Sequence, residues 1–299
     1  MEKLKLGFAD MWGYAQYDFN PADNYFTDLF SQKFDVTIDN KSPDILVYSV
    51  YGKSHQSYNC KKIFICGENL KFQKSDIPHY TNSDINLSQY DEDDKDILFP
   101  LFLIGINWFN KPQPRPLPSN PTYMLGINQI QNNRERFITE RKFCSFVSNR
   151  SFPDRVSMFK SLSNFDRVDS LGGLMNNVGR VLGGAQQEKI EALKNYKFNI
   201  AFENSYHDGY ITEKVLEPLG AGCIPLYYGG SKIKKFFNSN SFVYRQDFNS
   251  EQEYIDYILE INNNDKLYRD MVVTPPLTDY LLSEFNPKII LEKIMDKLK

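Results

Sequence analysis

One stretch of the chain concentrates side chains suited to holding an anionic, hydroxyl-bearing ligand: FNIAFENSYHDGYITEKVLEPLGAGCIPLYYGG, residues 198 to 230. An apolar run ends at Glu203, and a polar loop containing Gly209 follows. A helix is predicted to begin near Ile211, with Thr212, Glu213 and Lys214 in its first turn. Free N–H groups at a helix start attract anions, and a lysine beside them adds a charge suited to phosphate. A carboxylate there can accept hydrogen bonds from ribose hydroxyls. Pro218 predicts an early kink or end, with Gly220 and Gly222 making the turn into the next strand. On these residues alone, an ordinary capped helix with solvated Glu213 and Lys214 fits as well. A second candidate is Ile63–Asn69, IFICGEN, where a strand runs into Gly-Glu-Asn. Gly67 lets the chain turn sharply and presents Glu68 at a strand's C-terminal edge, a usual place for catalytic side chains in α/β sheets. A solvated loop carboxylate is the alternative there.

Other signals are weaker. Asp91-Glu92-Asp93-Asp94 could bind a divalent cation together with nucleotide phosphates. No apolar strand is expected to lead into it, because Asn86–Tyr90 is polar, so a solvated acidic turn is favoured. His207 lies inside the polar loop, where a lone histidine is more often incidental. Gly172-Gly173 and Gly183-Gly184 could admit close backbone approach to a phosphate or merely form turns. A ligand role is favoured only for the first pair.

These groups need elements to position them. Leu4–Ala9, Phe34–Ile38, Ile45–Val50 and Ile63–Cys66 are short β-rich runs, with helical spacing of apolar residues over Asn24–Gln32. This pattern predicts a buried, mostly parallel sheet, and Ile97–Ile104 is a candidate last strand. Lys111–Pro121 places five prolines in eleven positions, which rules out helix or central strand. A second alternation follows, with strands at Phe143–Ser148, Phe198–Glu203 and Cys223–Tyr228. Helices are expected at Asp154–Leu162, Glu188–Asn195, Ile211–Leu219, Tyr254–Ile261 and Pro287–Leu298. The predicted fold class is α/β, with a first domain over residues 1–125 and a second over 126–299, the last helix being free to pack back on the first. Two such units imply a cleft between sheets, where ligands commonly bind.

The 299 residues suit two domains of that size. Basic and acidic residues number 35 and 38, a net charge of −3, which gives no electrostatic reason to expect nucleic acid. Any anion site must be a local cluster. None of the four cysteines forms C-x-x-C, and with three histidines a Cys/His zinc site is not expected. Cys66, Cys144 and Cys223 sit in or beside apolar runs, which suits a reducing compartment. No signal-peptide core or membrane-spanning run is found, so a cytoplasmic location is expected. Lys288–Lys299 could touch a membrane surface peripherally, but acids Glu292 and Asp296 share its polar side, so packing against a domain is favoured.

The motif over residues 198–230 resembles the donor signature of the α1,3-fucosyltransferases, glycosyltransferase family 10. That signature runs approximately F-x-[LIF]-x-F-E-N-S, a short loop, Y-[VI]-T-E-K, a helix, then A-G-x-[IV]-P-[IVL]-Y-x-G. Phe198, Ile200 and Phe202 lead into Glu203-Asn204-Ser205, and Tyr210 to Lys214 and Ala221 to Gly229 supply the rest. Lys142–Arg155 resembles the family's F-x-x-F-V-x-S-N segment with an arginine beyond it, one residue tighter within Phe143–Asn149. Val168–Gly179 resembles its V-D-S-x-G block. Trp12-Gly13 and the G-E-N at Gly67–Asn69 carry a patchier first-half likeness. The heptad repeats and strongly basic tail of some bacterial relatives are not found, nor are the anchor and paired cysteines of vertebrate ones.

The resemblance implies a GT-B fold, two Rossmann-like domains facing across a cleft, and GDP-β-L-fucose as donor. Carried over by position, Arg155 and Lys214 would hold the pyrophosphate and Glu213 the ribose. Asn204 and Tyr210 would line the nucleotide and fucose pocket, and Ser205, Gly172 and Gly173 would belong to the donor loops. Glu68 would be the general base of an inverting transfer to the 3-hydroxyl of an N-acetylglucosamine or glucose unit in an oligosaccharide acceptor. No cofactor is expected to be required, although a divalent cation could stimulate. The alternatives are a GT-B transferase using another sugar nucleotide and an inactive glycan-binding relative. The acceptor, the preference between 3- and 4-hydroxyls and the oligomeric state are not readable from the residues.

Overall fold

The structure, a computed structural model, describes residues 1–13, 19–69, 82–113, 125–182 and 186–299. It divides into two compact units, one formed by Met1–Met124 with Leu282–Lys299, the other by Leu125–Leu281. Gly183-Gly184, the end of the proline-rich segment and the region after Gly13 up to Tyr17 lie outside the described residues.

The first unit holds a six-stranded sheet: β1 (Glu2–Ala9), β2 (Phe34–Ile38), β3 (Ile45–Tyr48), β4 (Lys61–Ile65), β5 (Ile85–Ser88) and β6 (Asp96–Leu98). Their order is β2-β1-β3-β4-β5-β6, and every pairing is parallel. β3 is buried at all four positions, as expected of a parallel strand covered on both faces. The helix Tyr25–Ser31 is capped by Asn24, whose side chain accepts from the backbone N–H groups of Phe26 and Thr27. The final helix, Pro287–Leu298, packs on that helix and on β5. It buries Pro287, Ile290, Leu291, Ile294 and Leu298, an i, i+3, i+4, i+7 stripe. No helix among the described residues is long and apolar enough to cross a membrane.

Two expectations for this sheet need correction. Ile97–Ile104 is not one strand. β6 ends at Leu98, and a 3₁₀ helix occupies Leu101–Gly105, because Pro100 cannot donate to a ladder. A buried strand, β5, does precede the acidic cluster. Its polar Asn86 is accommodated by accepting from Ser83 Oγ at 2.5 Å and donating to Asp96 Oδ1 at 3.0 Å. Asp91 to Asp94 are themselves exposed.

The second unit holds β7 (Lys142–Phe146), β8 (Val168–Ser170), β9 (Tyr196–Phe202), β10 (Ile224–Tyr228) and β11 (Val243–Tyr244). The order β11-β10-β9-β7-β8 is again parallel throughout. The core between this sheet and its helices gathers Phe146, Met158, Leu162, Phe198, Leu226, Tyr254 and Ile258. The helices Glu251–Asn263 and Asp265–Val273 follow β11.

The helix after β9 spans Glu213–Ala221, so Thr212 is its cap and not part of its first turn. Nor does Pro218 end it. In a nine-residue helix that proline forgoes one backbone bond, to Lys214, while Val215 to Ala221 are buried and hold the helical path. Gly222 alone makes the turn, at φ 72°. Gly220 stays inside the helix and lets Leu125 approach, with Leu125 Cδ1 2.5 Å from where a Cβ would lie.

Candidate functional site

In the second sheet the chain leaves β7 toward β8 on one side and β9 toward β10 and β11 on the other. The order therefore reverses between β7 and β9, and open parallel sheets bind ligands beyond the strands' carboxyl ends at such a reversal. Arg155 stands at this place. It belongs to the helix Pro153–Ser163 after β7, and its guanidinium is buried. Nε and Nη2 donate to the Phe202 carbonyl at 2.9 and 2.5 Å. Nη2 also donates to Asn204 Oδ1 at 2.7 Å, and Nη1 to Ser148 Oγ at 3.3 Å. One side chain thus joins the end of β9 to the loop after β7. Burial lowers its pKa, against the opposing charge of Glu203.

Beside it lies a compact charge cluster. Glu203 is 2% exposed and accepts from Thr212 N at 2.8 Å. It also accepts from Thr212 Oγ1 at 3.0 and 2.9 Å and from Tyr227 OH at 3.4 Å. Thr212 Oγ1 in turn accepts from Lys214 Nζ at 3.0 Å, and Lys214 lies 3.4 Å from Glu203 and 3.2 Å from Glu213. Burial raises the Glu203 carboxyl, with the Lys214 ammonium pulling the other way. Burial would lower the Lys214 ammonium, but Glu213 and Glu203 outweigh it and raise it. For Glu213 burial would raise the carboxyl, yet Lys214 and Lys189 hold it at about 2. Its side chain is 36% exposed and that of Lys214 21%, so both can still meet a ligand. The cluster holds a fixed cation at a capped helix N-terminus, next to a buried guanidinium.

The loop between Glu203 and Thr212 is stapled to the turn after β10. Asp208 Oδ1 accepts from Ser231 Oγ at 2.7 Å, from Ser231 N at 3.3 Å and from Tyr206 OH at 2.8 Å. A Cβ on Gly230 would overlap the carbonyl oxygens of His207 and Asp208. His207 shapes the same loop, its Nδ1 accepting from Gly209 N at 3.3 Å.

Arg155, Asn204, Glu213 and Lys214 therefore come together, with Ser205 half-buried beside them. Tyr210, within that loop, is buried, 4% exposed. At Gly172 the close approach is to the chain's own backbone, Ser148 N lying 2.6 Å from a would-be Cβ, and Gly173 N donates to Asn149 Oδ1 at 2.7 Å. Sequence reasoning missed Thr212 and Glu203 as the centre of the network. A threonine directly before the helix and a glutamate ending a buried strand were the available signals. Glu68 lies in the first unit, exposed, three residues beyond β4. Its Oε1 accepts from Tyr51 OH at 3.1 Å. Gly67 permits Leu101 to pack close, with Leu101 Cδ1 2.6 Å from a would-be Cβ. Among the described residues no group of three His, Cys, Asp or Glu could hold a metal ion.

Two family profiles match the chain: "Alpha-(1,3)-fucosyltransferase FucT N-terminal domain" over residues 6–105, and "Glycosyltransferase family 10 (fucosyltransferase) C-term" over residues 138–272. The Helicobacter pylori alpha-(1,3)-fucosyltransferase FucT is 29% identical across 92% of this chain and 60% of its own length. The chain thus spans about 60% of that relative. The Mus musculus 4-galactosyl-N-acetylglucosaminide 3-alpha-L-fucosyltransferase 9 is 33% identical over 43% of this chain and 35% of its own. A crystal structure of an alpha1,3-fucosyltransferase with GDP aligns with a TM-score of 0.73 at 24% identity, covering 99% of this chain and 90% of that one. The fold is of that GT-B type, two α/β units each built on a parallel sheet.

Proposed function

This chain belongs to glycosyltransferase family 10, and we propose that it transfers L-fucose from GDP-β-L-fucose to the 3-hydroxyl of an N-acetylglucosamine or glucose unit in a glycan, with inversion at the anomeric carbon. The observation that carries the reading is the pair of cations, Arg155 and Lys214, gathered at the reversal point of the second sheet on the matched family segment. Both a relative's solved complex with GDP and one with GDP-fucose support a nucleotide-sugar donor.

The proposed roles follow from the chemistry. Negative charge grows on the diphosphate as the glycosidic bond breaks, and fixed cations stabilise it without reorganising. Arg155 is held by Phe202, Asn204 and Ser148, and Lys214 by Thr212, Glu203 and Glu213, so both are preorganised. Glu213 stays ionised at neutral pH and can accept from ribose hydroxyls. Glu68 takes the proton of the acceptor hydroxyl, which attacks the oxocarbenium-like centre opposite the leaving GDP. No metal is needed where Arg155 and Lys214 supply the positive charge.

The test is a donor-by-acceptor screen with GDP-fucose, GDP-mannose and UDP sugars against 4-galactosyl-N-acetylglucosamine and glucose-terminated glycans, with linkage and anomeric configuration of products read by NMR. Transfer from GDP-fucose alone, giving an α1,3 product in the presence of chelator, is expected. Preference for another donor would replace the reading with a different GT-B transferase. Donor binding without any transfer would favour a glycan-binding relative. Loss of turnover in chelator with recovery on manganese would make a metal essential.

A further inference from the structure

The first sheet has its own reversal point, between β1 and β3, since β1 continues to β2 on one side and β3 to β4, β5 and β6 on the other. Asp10, the first residue after β1, sits there in a left-handed backbone conformation, φ 53°. Aspartate tolerates that region better than most residues, and strained backbone concentrates where function holds it. Its polar atoms are turned on the loop after β3. Oδ2 accepts from His55 N at 2.9 Å and lies 2.6 Å from His55 Nδ1. Oδ1 accepts from Ser54 N at 3.1 Å and from Ser54 Oγ. The backbone carbonyl of Asp10 accepts from Tyr51 N at 3.2 Å. Gly52 makes this possible, because a Cβ there would overlap the Asp10 carboxylate. His55 is fully buried and stacks on Tyr48, ring centroids 4.2 Å apart, so the far side of the latch is anchored in the core.

The latched loop leads to Glu68. Ser49 Oγ donates to the carbonyl of Ile65, the last residue of β4, at 2.8 Å. Two residues after Ser49, the Tyr51 hydroxyl donates to Glu68 Oε1 at 3.1 Å. Tyr51 is 53% exposed, so its ring is held less by burial than by the backbone bond to Asp10 and by its neighbours in the loop.

We propose that Asp10 and Tyr51 are positioning residues for Glu68: Asp10 fixes the loop that carries Tyr51, and the Tyr51 phenol orients the Glu68 carboxylate toward the acceptor's proton. This rests on the reading of Glu68 as the base.

The experiment compares Tyr51→Phe, Asp10→Asn, the double variant and Glu68→Gln, using GDP-fucose and 4-galactosyl-N-acetylglucosamine or the best acceptor of the screen. Tyr51→Phe should lower kcat about tenfold while leaving the acceptor KM and the GDP affinity unchanged, a split that a loss of folding would not give. Asp10→Asn keeps the side chain's size but loses the anionic acceptor that holds Ser54 and His55. It should lower kcat in the same way with KM and GDP affinity kept, and the double variant should be no worse than the poorer single one, since both act through one bond. If Glu68→Gln is inactive while Tyr51→Phe keeps wild-type kcat, the positioning inference is overturned and the base assignment stands. If Asp10→Asn changes only the melting temperature, its share of the inference is overturned. If Glu68→Gln keeps near-normal turnover, the base assignment itself falls and takes this inference with it.

Discussion

The carboxyl edges of the two sheets are built alike and furnished differently. Each has a reversal point with a charged residue standing on it, Asp10 in the first unit and Arg155 in the second. At the second edge the groups are held by several hydrogen bonds each: Glu203, Thr212 and Lys214 in one network, and the buried Arg155 near them by Phe202, Asn204 and Ser148. At the first edge the proposed base, Glu68, is exposed and accepts from the Tyr51 hydroxyl. The difference fits the two roles proposed for these edges. Gripping a diphosphate calls for cations fixed in advance in a poorly hydrated setting. Taking a proton from an incoming hydroxyl calls for a carboxylate that can be reached.

Variants at the two edges should therefore fail in different ways, and Arg155→Ala should fail hardest. It leaves the Phe202 carbonyl and Asn204 without their buried donor, and each buried polar group left unsatisfied costs about 1–3 kcal/mol. GDP binding should fall beyond the range of titration calorimetry, with a lower melting temperature. Retained affinity would break the comparison by removing the cation from the binding edge. Lys214→Ala removes a cation that is 21% exposed, so its effect should be smaller. GDP affinity should drop about tenfold, with kcat falling too, because leaving-group charge rises further as the bond breaks. A fall in kcat with affinity unchanged would give Lys214 a role in the transition state alone.

Gly230→Ala tests the staple beneath the loop between Glu203 and Thr212. The added Cβ overlaps the carbonyls of His207 and Asp208, which are backbone and cannot swing aside. A loss of about 1–3 kcal/mol in urea unfolding is expected, with weaker GDP binding following from the displaced loop. Wild-type stability would mean the turn relaxes freely.

The smallest effect concerns pH. Glu213 has its folded pKa lowered to about 2 by Lys214 and Lys189, so its ionised form favours the folded state. That contribution is present above the ordinary glutamate value of about 4.3 and is lost as pH falls through the window down to about 2. Glu213→Gln should flatten the acid side of the stability curve in this window and leave the neutral-to-basic side parallel to wild type. An unchanged acid limb would place the ionic stabilisation elsewhere in the cluster.

Much of the second edge was legible because its chemistry lies in one continuous stretch. Glu203 to Lys214 spans a strand end, a loop and a helix start, and residue types at those places have local meaning. What hid the rest was non-local. β5 reads as polar because Asn86 and Ser88 look exposed, yet partners such as Asp96, on the neighbouring strand, let Asn86 be buried. Pro218 breaks a helix by local rules and is overruled by burial of the residues around it. Asp10 and His55 meet across 45 positions of sequence, and Tyr51 and Glu68 across 17, so no motif could join them. Arg155 was found by motif, but its contact with Asn204, 49 positions away, fixes it to the reversal point.

The division of labour between the edges has one direct test: Glu68→Gln, measured for turnover with saturating acceptor and for GDP affinity by calorimetry, after its melting curve is matched to wild type. Glutamine keeps the size of the side chain and still accepts from Tyr51, but it cannot take up a proton. Turnover should fall about a hundredfold or more while the GDP dissociation constant stays at the wild-type value. Near-normal turnover, or a loss of GDP affinity as large as the loss of rate, would contradict the account.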